Sequence, residues 1–411
     1  MTEVIPFTGI LYNASRVSGD DVVAPPYDII TPELRELLYQ KSPYNIVRID
    51  AGAEASGDHE GENKYLRAAS FLKEWLSEGI LVRSERPCFY AYEMSYQAPE
   101  GLRRTCGLFG LVRLEELGKG VYPHEETHSK PKIDRFNLMA ACEANTSPIF
   151  SLYNSPARMA SGVIERVARR EPYLHALDIQ GASHRLWIID NGEDIGIIRS
   201  DLAGKSIVIA DGHHRYETAL EYQRLKGRTA SSEPRDYVLM FLANIADGGL
   251  TILPTHRIVR YNEDNALEIL SRRFEIESVP ADDDITVLIG GRTQVFGFCR
   301  KGDSSQYLLR YTGGELKGIP PALKGLDVTI LHELILKELL TVSAILYEMD
   351  ASEARRRVRS GDYDAVFFVN PTRVEDVERV ALSVTRMPPK STYFYPKVMT
   401  GFVINSLTNS I

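Results

Sequence analysis

Cysteine is scarce in this sequence. Four residues in 411, Cys88, Cys106, Cys142 and Cys299, lie far apart with no Cys-x-x-Cys pair among them. That argues against a zinc ribbon or a disulfide scaffold and leaves reduced core thiols. An excess of positive charge is also missing. With 48 Lys and Arg against 56 Asp and Glu the formal net charge is -8, whereas a protein living on nucleic acid presents a basic surface, so nucleic acid is disfavoured as a partner. No apolar run reaches membrane-spanning length, and the opening MTEVIPFTGI has no basic segment leading into an apolar one; the expectation is a cytoplasmic protein with no membrane partner. Internal repeats, heptads and low-complexity tracts are absent as well. What remains is 44% hydrophobic and 25% charged, ordinary for a folded soluble chain, with length for two or three domains. Net charge says nothing about the oligomeric state.

The most informative stretch is Lys205 to Leu220, KSIVIADGHHRYETAL. Ile207 to Ala210 form a β-branched run that reads as a buried strand, and Tyr216 to Arg224 carry apolar residues at helical spacing. Between them stand Asp211, Gly212, His213, His214 and Arg215. Glycine at a strand-to-helix turn permits positive φ and lets a ligand approach the backbone. The helix start favours an anion, and an arginine in its first turn makes most sense if a bound anion compensates it. His213 and His214 can donate, accept or titrate near neutrality. Asp211 ends the strand, where open α/β sheets place their ligand crevices. The bland alternative is that Asp211 caps the helix and the histidines are polar turn residues.

Further polar clusters punctuate the chain. Ala24-Pro25-Pro26-Tyr27-Asp28 follows an extended, proline-stiffened path before a helix that opens at Thr31-Pro32, so Tyr27 and Asp28 are presented at the end of a rigid segment. Between Tyr122 and Arg135 lie His124, Glu125, Glu126, Thr127, Lys132 and Arg135. The letters His124-Glu125-Glu126-Thr127-His128 fit a zinc-protease motif, but Pro123 before them and Pro131 after leave little room for the helix that motif needs. Carboxylates, histidines and lysines mixed in a loop suit phosphate and magnesium handling and general base work. Thr255, His256 and Arg257 stand at another strand end. Near the C-terminus, Lys390, Ser391, Thr392 and Lys397 surround Tyr393, Phe394 and Tyr395; aromatics can stack on a base and lysines can meet phosphates. The strands and helices between these clusters give an α+β chain. We divide it into an N-terminal α+β region at 1–150, a core with the DGHHR turn at 151–260, and a C-terminal α/β region at 261–411.

The turn Gly212-His213-His214-Arg215 followed by Ala219 resembles that of the ParB/sulfiredoxin-like superfamily, in which it holds nucleotide phosphates and which includes free-serine kinases. Together with APPYD at 24–28, His124-Glu125-x-Thr127, Lys132-x-Asp134-Arg135, Pro254 to Arg257 and Lys390 to Lys397, the chain resembles over nearly its full length the prokaryotic family known as domain of unknown function 1015. The resemblance implies a mixed sheet with a ParB/sulfiredoxin-like strand–turn–helix nucleotide site. It also implies a kinase that uses ATP or ADP with Mg2+ to phosphorylate a small hydroxylated metabolite, free L-serine being the best guess. Gly212, His213, His214 and Arg215, with Lys390, Ser391, Thr392 and Lys397, would hold the nucleotide. Glu125, Glu126, Asp28, Asp211, His213 and His214 are the catalytic candidates, and Tyr27, His124, Thr127, Lys132, Arg135, Thr255, His256 and Arg257 the substrate-binding ones. A non-catalytic nucleotide switch of ParB type, and a phosphatase of the same phosphorylated metabolite, are the alternatives.

Overall fold

A computed structural model describes residues 2–98, 101–126, 129–227 and 233–408. The chain divides into two compact units, one made of Met1–Pro123, Thr127–Leu250 and Pro396–Ile411, the other of His124–Glu126 and Thr251–Tyr395. The fold is α+β in both.

In the first unit, long apolar runs pair into one mixed sheet of nine described strands. Phe89–Ala98 and Gly101–Arg113 form a hairpin whose register runs from Tyr90 opposite Phe109 to Ala98 opposite Gly101. This is the hairpin that the alternation of apolar residues predicts around 98–101. Tyr237–Asn244 adds antiparallel to Gly101–Arg113 and parallel to Ile149–Tyr153. Ile207–Asp211 then pairs antiparallel with Ile149–Tyr153 and parallel with Val121–Tyr122. All eight residues of Tyr237–Asn244 and all five of Ile149–Tyr153 are buried, as continuous apolar strands covered on both faces should be. The helices Ser129–Cys142, Met159–Val167, Gly192–Leu202 and His213–Lys226 supply Met139, Val163, Ile198, Tyr216 and Ala219 to the core on this sheet. Ser129–Cys142 packs against both His213–Lys226 and Lys64–Ser77.

The second unit is an antiparallel sheet of six described strands, in the order Phe274–Pro280, Ser305–Tyr311, Val295–Arg300, Ala365–Phe368, His256–Arg260 and Ala344–Glu348. Strand alternation sends Val259 and Phe367 to one face and Ile258, Val366 and Phe368 to the other, giving two separate cores. The sequence periodicity from Asp327 to Leu340 forms a helix over the first core. Its first turn, Asp327–Thr329, is α-helical and Ile330–Leu339 is wound as a π-helix. Ala351–Arg359 covers the second.

Candidate functional site

The strand Ile207–Asp211 ends in a bulge between Ile209 and Asp211, and the helix His213–Lys226 begins one residue later. Gly212 joins them at φ +100° and ψ 28°, a conformation that costs an L-residue strain and costs glycine none. A second constraint acts on the same residue. The Arg215 side chain folds back so closely that a Cβ on Gly212 would lie 2.9 Å from Arg215 Nε. Arg215 is 8% exposed. Its Nη1 donates to the Pro148 carbonyl, its Nη2 stands 3.8 Å from Asp211 Oδ1, and its Nε is buried without a partner among the described residues. The arginine of the turn is thus partly an internal brace and partly an uncommitted donor. His213 is buried and His214 half-buried. Lys397, from the chain's last segment, donates Nζ to Asp211 Oδ2 at 2.8 Å.

Tyr27 and Asp28 reach the same neighbourhood. Pro25 and Pro26 keep the chain extended, and Tyr27–Ile29 forms a single 3-10 turn. The Arg135 guanidinium lies over the Tyr27 ring, 4.1 Å from its centroid. Burial pushes the Tyr27 hydroxyl up to about 12, with Arg215 and Arg135 opposing and Asp28 and Asp211 reinforcing. Those four charges therefore all lie within electrostatic reach of one phenol. Asp28 is exposed, and its carboxylate makes no hydrogen bond or ion pair among the described residues. Arg135 is held by Asp50 at 3.3 Å and Asp134 at 2.6 Å. Burial lowers its proton affinity, but the two carboxylates more than offset that and raise it. A cavity of about 20 Å³ between Arg135, Thr146, Ser147 and Arg215 has room for one water. Lys132 instead pairs with Glu217 at 3.0 Å, on the groove between Ser129–Cys142 and His213–Lys226.

The remaining described candidates, His124 to Glu126, Thr255 to Arg257 and Lys390 to Thr392, belong to the second unit. His124 is fully buried and its Nε2 lies 2.8 Å from Thr392 Oγ1. Glu125 bridges in parallel to Met387 and accepts the backbone N–H of Lys390, which is held at φ 57°. Glu126 is exposed, and Thr127 and His128 lie outside the described residues. His124 and Glu125 sit on extended chain before the helix that starts at Ser129, not on a helix as a zinc-protease motif requires. Ser391 donates Oγ to the Pro388 carbonyl at 2.6 Å.

Arg257 is the unusual group here. It is 0% exposed, donates to the carbonyls of Thr255 and of Lys390 (3.0 Å), and lies 5.5 Å from the Tyr347 ring centroid. With no carboxylate in ion-pair contact among the described residues, burial pulls its pKa down to about 10. Thr255 Oγ1 and Arg257 Nε are both buried without partners among the described residues. His256 accepts the Val369 N–H on Nδ1 at 3.3 Å and is driven by burial down to about 4, so it is neutral with its proton on Nε2.

The structure therefore sorts the sequence candidates into two clusters. Tyr27, Asp28, Arg135, Asp211 to Arg215 and Lys397 belong to the first unit; His124, Glu125, Thr255, His256, Arg257 and Lys390 to Thr392 belong to the second. Asp50 and Pro148, which hold Arg135 and Arg215, escaped sequence reasoning because an aspartate in an apolar run and a backbone carbonyl carry no motif.

Residues 4–329 match a family model described as "Protein of unknown function (DUF1015)". No curated protein matches the chain. Among solved structures it is similar to a free serine kinase in complex with AMP, at 14% identity and a TM-score of 0.37, over 70% of this chain and 86% of that one. It is also similar to SbnI with C-terminal truncation from Staphylococcus aureus, at 13% identity and a TM-score of 0.38, over 71% and 85% of the two chains. A third likeness is to a conserved hypothetical protein from Pyrococcus furiosus, at 14% identity and a TM-score of 0.35, over 71% and 91%.

Proposed function

The chain belongs to the DUF1015 family, and we propose that it is a nucleotide-dependent kinase that phosphorylates a small hydroxylated metabolite, free L-serine first among them. The observation that carries this reading is the convergence of Tyr27, Asp28, Arg135, Asp211 and Arg215 around the left-handed Gly212 turn. The glycine leaves the first turn of a fourteen-residue helix open to an anion, where amides and dipole favour phosphate. Arg215, with its spare Nε, and Lys397 add positive charge.

Phosphoryl transfer asks a protein for positioning and charge neutralisation more than for covalent chemistry. In the step we assign, the acceptor's hydroxyl oxygen attacks the terminal phosphorus of the nucleotide. The bond from that phosphorus to its bridging oxygen breaks, the nucleotide leaves one phosphate shorter, and the hydroxyl proton passes to a carboxylate. Asp28 suits this role best, its carboxylate being exposed and uncommitted, whereas Asp211 is already held by Lys397. Tyr27, protonated throughout the neutral range, is a donor for the substrate rather than a base. Among the described residues no group of three His, Cys, Asp or Glu side chains could hold a metal ion, so magnesium would be held mainly by the nucleotide's phosphates with Asp211 completing its shell. When bound it supplies neutralisation of phosphate charge.

The deciding experiment incubates the purified chain with magnesium, ATP or ADP, and a panel of hydroxylated amino acids and sugars, and follows the product by mass. Phosphoserine formation supports the proposal. Nucleotide binding with no product across the panel replaces it by a nucleotide switch.

A further inference from the structure

In the second unit, the loops leaving Ala365–Phe368 and entering Val295–Arg300 meet at one end of the antiparallel sheet. There they enclose a cavity of about 370 Å³ whose polar lining includes Arg292, Thr293, Asp327, Asn370, Arg373 and Asp376. That volume falls within the roughly 300–1,000 Å³ typical of small-molecule sites. Two arginines and two aspartates line it, and they are unequally committed. Asp376 is taken by Arg379 at 2.7 Å. The Arg292 guanidinium donates only to the Leu288 carbonyl, at 3.1 Å, among the described residues. The Arg373 side chain makes no hydrogen bond or ion pair among them. Two guanidinium groups therefore stand at one cavity with no described carboxylate bonded to either.

The remaining carboxylate is Asp327, which accepts the Gln294 N–H on Oδ1 at 2.7 Å and has no protein partner on its other oxygen among the described residues. Burial pushes its acid form up to about 6, with Arg373 opposing and Asp376 reinforcing. The rim is fixed in advance. Asn370 ties the two loops together by donating Nδ2 to the carbonyls of Ile289 at 2.9 Å and Arg292 at 2.8 Å, and Gln294 is held at φ 60°. A cross-tied loop holding one half-buried and one exposed arginine, neither bonded to a described carboxylate, is pre-organised to meet an anion.

We propose that this cavity is a second ligand site, separate from the Gly212 turn, for a small phosphomonoester that carries a hydroxyl or amine. The guanidinium groups of Arg292 and Arg373 take the phosphate, a match of planar donor forks to phosphate oxygens. The open oxygen of Asp327 meets the hydroxyl or amine. A bare hydrophobic ligand would leave both cations unpaired, and a cationic one would meet them directly.

The test is calorimetric titration of the full chain at pH 6 with glycerol 3-phosphate, and with glycerol as the uncharged probe. The wild type should bind the ester and not glycerol. Arg292→Ala and Arg373→Ala should each weaken ester binding about tenfold or more, the loss expected for one charge-assisted contact, while ADP affinity stays that of the wild type. Neither residue carries an ion pair to a described residue, so both variants should fold; a melting temperature unchanged from wild type checks this. Failure of the wild type to bind the ester, or equal binding by wild type and both variants, overturns the proposal. Neither result bears on the kinase reading, which the mass assay decides.

Discussion

Gly212 carries two demands at once, a left-handed backbone and room for the Arg215 guanidinium. Gly212→Ala should therefore cost about 1–3 kcal/mol of stability, because the displaced arginine loses Pro148, and under the proposed function it should weaken ADP binding; thermal melts and ADP titration measure the two effects. Asp28 offers the opposite case. Its carboxylate is exposed and bonded to nothing described, so Asp28→Asn should leave the melting temperature unchanged, and under the proposed kinase function it should lower kcat by about 10²–10⁴, the usual worth of a general base. A kcat within a factor of two of wild type would remove Asp28 from the mechanism. In the second unit His256, held neutral by burial and by the Val369 N–H, should show no imidazole titration by NMR until the pH approaches about 4.

At the scale of elements, the last segment of the chain matters more than its sequence announces. Pro396–Ile411 returns to the first unit, brings Lys397 to Asp211, buries Phe402, Val403 and Ile404, and pairs Asn405–Ser406 with Ala144–Asn145. Truncation after Tyr395 should strip these interactions together. The three apolar side chains alone are worth about 1.5–3 kcal/mol each when fully buried, a large share of an ordinary domain's stability. We expect the truncated chain to lose the near-UV circular dichroism of the first unit, and a native spectrum would contradict the packing described. Likewise Arg135 on the helix Ser129–Cys142 is held from two sides, by Asp134 of its own helix and by the buried counter-charge of Asp50 on the short helix Val47–Asp50.

Over the whole molecule, one buried and one half-buried group of the second unit set opposite pH dependences. His256 has its folded pKa lowered from 6.5 to about 4. In that window the unfolded chain binds the extra proton, so stability rises with pH. Asp327 has its folded pKa raised from 3.8 to about 6. There the folded chain binds the extra proton, so stability falls as pH rises. The two windows nearly coincide and the contributions oppose. Asp327→Asn should therefore raise the second unit's melting temperature at pH 7.5, leave it unchanged near pH 4, and unmask a rise of stability with pH between these points. Calorimetry across that range checks it; a variant whose stability fell with pH would refute the assignment.

Much of this was legible in the chain. The apolar alternation of 88–114 specifies its hairpin, and the change of rhythm at Lys205 to Leu220 specifies strand, turn and helix, because local periodicity and the glycine requirement are properties of neighbouring residues. The six polar stretches were visible as chemistry for the same reason. Their grouping was not. That Tyr27 lies over Arg135, that Arg215 braces against Pro148, that His124 meets Thr392, and that Arg292 and Arg373 line one cavity are decided by pairings between residues far apart in sequence. Such pairings depend on strand order and on which surfaces bury one another. A single sequence constrains these only through the tertiary fold.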